Sequence, residues 1–344
     1  MSTNRLHYLI WLAIIALMIL PGGALSKDVV VNLMIDIDSP ASPTPEQMNM
    51  VSSSIVNLTN QIDSRGLDST FYVTGDAASS DRLEITSIGS KANHELALHG
   101  NTTDEMLGAL SYSEQEALLN KAKESIDAAH ICGGRIIVIR GFRPQSFDQN
   151  ENSYGILENM GYLYDAGFKA KIQYLPGHQN DTWPYRIANH SLYAVPVSTY
   201  NFAGERVYLY DRFIKEEKGL SGTKWLDLLV GKFDEATVNG DPVVVIFSNQ
   251  VSGSGDYLNA YKNFVEYAIS KNAKFVTTME LINMTEVKNA TGKLPALSGV
   301  KPSVCPTCGQ KNESKGGLSI GVTLTHQENC TSCYRSPTNV TKTS

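Results

Sequence analysis

The sequence is short of positive charge. Its 29 Lys and Arg are outnumbered by 35 Asp and Glu, giving a net charge of −6 over 344 residues, and no run of five like charges occurs. A nucleic-acid binder needs a basic excess or stripe to displace counterions from phosphates, so that class is excluded. Cysteine is also scarce. Five in a chain of this length cannot form a disulfide scaffold. Beyond residue 20 no apolar run approaches the ~20 residues that a membrane-spanning helix requires. What is plentiful is apolar surface: 42% of residues are hydrophobic, enough for a packed core and incompatible with wholesale disorder. The length suits about two domains, or one α/β barrel using most of the chain.

Residues 1–26 read as a secretion signal. Arg5 forms a basic start, residues 8–20 are an apolar run, Pro21-Gly22-Gly23 break it, and Ala24-Leu25-Ser26 offers the small residues that signal peptidase requires. An uncleaved N-terminal anchor is the competing reading. Export agrees with the glycosylation sequons at Asn57, Asn101, Asn180, Asn189, Asn283, Asn289, Asn312, Asn329 and Asn339, several times the number expected by chance.

The body alternates strands and helices. Residues 28–37 (DVVVNLMIDI) form a nearly continuous apolar run, as a strand buried on both faces requires. Met48, Val51, Ile55, Leu58 and Ile62 follow at helical spacing after Pro45. Further strands are expected at 70–74, 94–99, 135–140, 162–164, 192–197, 207–210, 242–247 and 274–277. Helices are expected at 152–160, 223–237 and 256–271, and from a Ser113/Glu116 capping box to about residue 129. Such alternation predicts a mostly parallel sheet, closed or doubly wound, with its chemistry at the carboxyl ends of the strands. The polar residues at those ends include Asp36, Asp38, His99, Arg143, Asp165 and Ser248.

Seven segments in order carry a resemblance: MIDIDSP at 34–40, STFYVTGD at 69–76, NHELALHGNTTDE at 93–105, GFRPQSF at 141–147, ILENMGYLYDAGF at 156–168, LYAVPVS at 192–198 and PVVVIFSN at 242–249. Together they resemble the NodB-homology polysaccharide deacetylases, a carbohydrate esterase family, from about residue 29 to 281. The resemblance implies an α/β fold, a distorted (β/α) barrel over residues 27–290. It also implies one divalent metal, zinc or a similar ion, that activates water against an acetamide. Carried over by position, Asp36 matches the general base, Asp38 and His99 match metal ligands, Arg143 matches the arginine that orients the base, and Asp165 matches the carboxylate supporting a catalytic histidine. Ser146 falls where an oxyanion-hole N–H is expected. His94 matches a histidine of structural role. Two positions depart from the pattern. Thr103 stands where the second metal-binding histidine belongs, and threonine is a poor zinc ligand. Ser248 stands where the strand should deliver a general acid, and a neutral hydroxyl cannot serve near pH 7. Asp104, Glu105 and the loop residue His178 are the nearest candidates to compensate.

After a Gly-, Pro-, Ser- and Lys-rich linker at 291–304, a tail at 305–344 carries Cys305, Cys308, Cys330 and Cys333. Two Cys-x-x-Cys pairs suit a structural four-thiolate zinc site, whereas an oxidising exterior would favour disulfides. Cys132 is the stray, expected as a buried thiol. Two functions follow from the whole reading. One is a secreted or surface enzyme that removes N-acetyl groups from a cell-surface polysaccharide, with no stable membrane span once the signal is removed. The other is a catalytically inactive glycan-binding or cell-envelope protein on the same barrel.

Overall fold

The computed structural model describes residues 28–130 and 138–291, and the backbone of 303–304 and 311–312. The segment read as a signal, Cys132 and the four tail cysteines lie outside the described residues. Strands β1 (Val30–Ile37), β2 (Ser69–Val73), β3 (His94–Leu98), β4 (Gly141–Phe142), β5 (Tyr164–Lys169), β6 (Tyr185–Arg186), β7 (Tyr193–Val197), β8 (Thr199–Phe202), β9 (Glu205–Tyr208), β10 (Val243–Ser248) and β11 (Lys274–Phe275) alternate with ten helices among the described residues. These are α1 (Pro45–Asp63), α2 (Gly75–Ser80), α3 (Arg82–Gly89), α4 (Tyr112–His130), α5 (Glu151–Asn159), α6 (Asp211–Glu216), α7 (Gly222–Asn239), α8 (Asn249–Ser252), α9 (Gly255–Ser270) and α10 (Thr278–Thr291).

One sheet runs β10-β1-β2-β3-β4-β5-β7-β6, with β11 also paired to β1. Every neighbouring pair is parallel except β6 with β7. The sheet curls until its ends communicate. Ser198 N–H donates to Val244 O, Leu209 N–H to Ser198 O and Ile246 N–H to Leu209 O, all at 2.9 Å, so residues 198 and 209 stitch the end of β7 to β10. This is the expected distorted (β/α) barrel. The β8–β9 hairpin forms a separate two-stranded sheet. It takes Val207 and Tyr208, half of the segment expected as a strand at 207–210, and Leu209 and Tyr210 bridge to the barrel.

Period-two alternation sorts the core into two layers. In β1, Val31, Leu33, Ile35 and Ile37 face the helices, while Val30 and Met34 point into the barrel. In β10, Val243, Val245 and Phe247 join the helix layer, and Val244 and Ile246 the interior. The same parity sends Asp36 and Ser248 inward, side by side in register. His99 follows inward-facing Ala97, and Arg143 follows Phe142 of the outer layer, so both reach the same end of the barrel.

Helix starts differ slightly from expectation. Thr44 caps α1 in a capping box with Gln47, with Pro45 in the first turn where its missing N–H costs nothing. The box at α4 is Ser111/Glu114 rather than Ser113/Glu116: Glu114 Oε2 accepts from Ser111 N at 2.8 Å. Serines at both positions make the two registers indistinguishable by pattern. Of the strand expected at 135–140, residues 135–137 lie outside the described residues and 138–140 are not in a strand; the two-residue β4 follows at 141–142. Gly141 permits that pairing, because a Cβ there would sit 2.0 Å from the Tyr164 ring.

The amino ends of the strands are closed by α10. Thr278 N–H donates to Thr70 Oγ1 at 2.8 Å, and Met279 N–H to Glu95 Oε2 at 3.0 Å. Inside, Tyr164 donates to Glu95 at 2.8 Å, and Tyr72 bonds Thr278 at 3.1 Å. No described helix is long and apolar enough to cross a membrane.

Candidate active site

Three of the expected residues meet in a buried cluster at the carboxyl ends of β1, β3 and β4. Asp36, His99 and Arg143 are each fully buried. Arg143 Nε donates to Asp36 Oδ1 at 3.2 Å and Nη2 donates to Asp36 Oδ2, a two-point clamp. Nη2 also donates to His99 Nε2 at 2.7 Å. On the other side of the ring, His99 Nδ1 lies 2.7 Å from the Arg143 carbonyl. A carbonyl only accepts, so Nδ1 carries the proton and Nε2 is the lone-pair nitrogen. Burial and the neighbouring guanidinium push His99 down to about 4, so the imidazole is neutral at pH 7. The guanidinium is boxed by aromatic rings, 5.5 Å from the centroids of Phe147 and Tyr210 and 5.8 Å from Tyr72.

Asp38 is one step further out. Asn249 holds its backbone at both ends: Nδ2 donates to Asp38 O at 3.0 Å, and Asp38 N–H donates to Oδ1 at 2.9 Å. Gln145 Nε2 donates to Asp38 Oδ1 at 2.9 Å and to His99 O at 3.3 Å, tying the outer carboxylate to the buried cluster. Burial, reinforced by the Asp36 charge, raises Asp38 to about 7. Asp38 also lines a cleft of about 760 Å³ between the start of α1 and α8, together with Gln47, Met50, Asn57, Asn249 and Gln250.

Asp165 and Ser248, also expected, have partners of their own. Asp165 Oδ1 accepts from Gly167 N–H at 2.7 Å, and burial raises its pKa to about 7. Ser146 lies in a tight turn after β4, in the left-handed region together with Phe147 (φ 54° and 59°). Ser248 N–H donates to the buried Asp211 at 2.7 Å. Buried side-chain atoms without a hydrogen-bond partner concentrate here: Asp38 Oδ2, Thr103 Oγ1, Arg143 Nη1, Asp165 Oδ2 and Ser248 Oγ. Groups of this kind are normally met by water or a ligand.

The candidate substitutes are engaged elsewhere. Asp104 pairs with Arg212 at 2.7 Å. Glu105 braces its own loop by accepting from Asn101 and Thr102 N–H. His178 stacks on Tyr185 at 3.8 Å and bonds Asp181. His94 bonds Asp63 and Ser69, as its structural role implies. Among the described residues no group of three His, Cys, Asp or Glu side chains is arranged to hold a metal. Asp38 Oδ2 is open, but the His99 lone pair is occupied and the third position is Thr103. The expected metal does not fit this arrangement.

Sequence reasoning missed the roles of Gln145, Asn249, Tyr210 and Asp211, and placed Asn249 only at the end of its strand. Asn249 and Asp211 were detectable, since each follows an apolar strand run directly; Gln145 carries no such signal.

No protein-family model and no curated protein matches the chain. Solved structures do. A protein of Mycobacterium smegmatis described as a polysaccharide deacetylase superposes with a TM-score of 0.59 at 19% identity, covering 80% of this chain and 95% of its own. The allantoinase PuuE gives 0.59 at 14% identity, covering 79% and 93%. A Pseudomonas aeruginosa protein described as a polysaccharide deacetylase gives 0.58 at 13% identity, covering 77% and 92%. The chain therefore has the polysaccharide deacetylase (NodB-type) fold. Within that fold it is a divergent example, with Thr103 and Ser248 at two positions where the resemblance leads one to expect histidine.

Proposed function

We propose that the protein is an exported, envelope-facing member of the deacetylase fold that recognises an N-acetylated polysaccharide at its strand-end cleft. The observation that carries this reading is the cleft itself. Amides and the carboxylates of Asp38 and Glu46 line it beside Met50, a mix that pairs sugar hydroxyls and acetamides with an apolar contact. Recognition without hydrolysis fits the bond from Arg143 to His99 and the neutral Ser248. Calorimetry with N-acetylated glucosamine oligomers and with their deacetylated counterparts tests it. Saturable binding of the acetylated series is expected, weakened at least about tenfold by Asn249→Ala, since the loop carrying Asp38 loses its clamp. No saturable binding of any acetylated glycan would overturn the proposal.

A second reading, metal-assisted removal of N-acetyl groups, is favoured by one specific observation: the two-point clamp of Arg143 on Asp36, the residue at the general-base position, is intact. Acetate release above an Asp36→Asn control decides between the two.

The leader at 1–26 and the sequons support export. Asn180, Asn189, Asn283 and Asn289 are exposed, whereas Asn101 is buried and Asn57 Nδ2 donates to Gly253 O. Glycans on a secreted preparation should map to the first four. The division into leader, barrel, linker and four-cysteine tail belongs to the same proposal.

A further inference from the structure

The buried cluster already contains a cation. A neutral imidazole has one N–H and one lone pair. His99 commits the first to the Arg143 carbonyl and the second to Arg143 Nη2. A guanidinium has only donors and does not deprotonate in proteins, so the bond at Nε2 can run only from arginine to histidine. The same guanidinium satisfies both oxygens of Asp36. A metal ion entering between Asp38 and His99 would need the lone pair that Nη2 consumes. It would also bring a second positive charge beside a buried one. Phe147, Tyr210 and Tyr72 box the guanidinium in place.

We infer that the Arg143 guanidinium is the resident cation of this barrel, standing in place of a metal ion, and that the native centre takes up no divalent metal. The inference deepens the binding reading above. It rests on the geometry at His99 and makes no use of glycan affinity, so the two fail separately. The loss of a histidine at Thr103 then follows naturally, because a second imidazole has nothing to coordinate.

The test is zinc stoichiometry and affinity, by elemental analysis and chelator competition, on the full chain with the four tail cysteines replaced by serine. That background removes the four-thiolate tail site from the measurement and leaves only the lone Cys132. Three proteins are compared: the background, Thr103→His, and Thr103→His with Arg143→Lys. Lysine keeps a positive charge for Asp36, but its side chain ends one atom short of the Nη2 position that bonds both Asp36 and His99, and it lacks the planar fork. The background and Thr103→His should hold no stoichiometric zinc. The double variant should bind one equivalent at least about 100-fold more tightly. Stoichiometric zinc in the background overturns the inference. A tight site from Thr103→His alone also overturns it, because arginine is then not withholding His99. A folded double variant, checked by circular dichroism, that gains no zinc affinity does the same. If the double variant does not fold, the first two proteins still decide. Glycan calorimetry on the same preparations reports on the binding reading independently.

Discussion

Replacing Arg143 by methionine gives the sharpest test of how the cluster is held together. Methionine keeps much of the side-chain volume and removes only the fork. Asp36 is then a fully buried carboxylate with both oxygens stripped of their donors, and His99 Nε2 loses its partner. Breaking a buried ion pair by removing one member costs about 3–5 kcal/mol, because the surviving charge is left uncompensated. For a domain of this size that corresponds to a fall in Tm of about 10 °C. Asp36→Asn removes the charge that suffers. In that background Arg143→Met should cost only about 1–2 kcal/mol, giving a coupling energy of about 2 kcal/mol. Urea unfolding followed by circular dichroism at pH 7 measures all four corners of the cycle. If Arg143→Met costs less than about 1 kcal/mol, or the two changes add within about 0.5 kcal/mol, the pair is not the electrostatic keystone described above.

The pH dependence of stability follows from the other buried carboxyls. Burial raises Glu95, Asp165 and Asp211 each to about 7, so between pH 4 and 7 the folded state keeps protons that the unfolded chain has released. Stability is therefore fully present at low pH and falls as pH rises through 7, by about 1.4 kcal/mol per group per pH unit inside that window. Tm measured from pH 5 to 8 should decline, and Asp165→Asn should flatten the decline; a Tm rising over that range contradicts the assignment. Gly141→Ala drives a methyl into the Tyr164 ring. It should cost about 1–3 kcal/mol by overpacking, relieved in part by Tyr164→Leu, both readable by urea unfolding. Asn249→Ala strips both bonds from the Asp38 backbone. It should destabilise by about 1–3 kcal/mol and speed amide exchange at Asp38, and unchanged exchange there would refute the clamp.

The fold was legible because buried parallel strands are long apolar runs, and β1 and β10 are buried at every position. The inward set was legible too. Counting in twos from Met34 reaches Asp36, and from Ile246 reaches Ser248. What could not be read was the partner of each polar atom. Arg143 was expected to orient Asp36, and it does, but its second bond to His99 depends on the depth of a ring across two strands. Asn249 was noticed only as a strand-end residue, because its reciprocal grip on Asp38 spans 211 positions of sequence. Glu105 sits beside a missing ligand in the chain, yet it spends its carboxylate on the loop N–H groups of Asn101 and Thr102. The short β4 escaped expectation because the apolar run before it is not uniformly buried: Val138 and Arg140 are exposed, and pairing begins at Gly141.

Helix α10 gives the barrel a polarity that bears on how it is mounted. Its first turn is sewn to Thr70 and Glu95 at the amino ends of the strands, and further along Lys288 lies 4.3 Å over the Trp183 ring. The amino ends of the strands are thus covered, and the cleft lined by Asp38 and Asn249 lies at the opposite end. Also along α10, Glu286 bonds Arg186 and Tyr193 beside the start of β7, so the helix stays on the covered end. Whatever grips the protein through this helix therefore grips it at the end opposite the cleft.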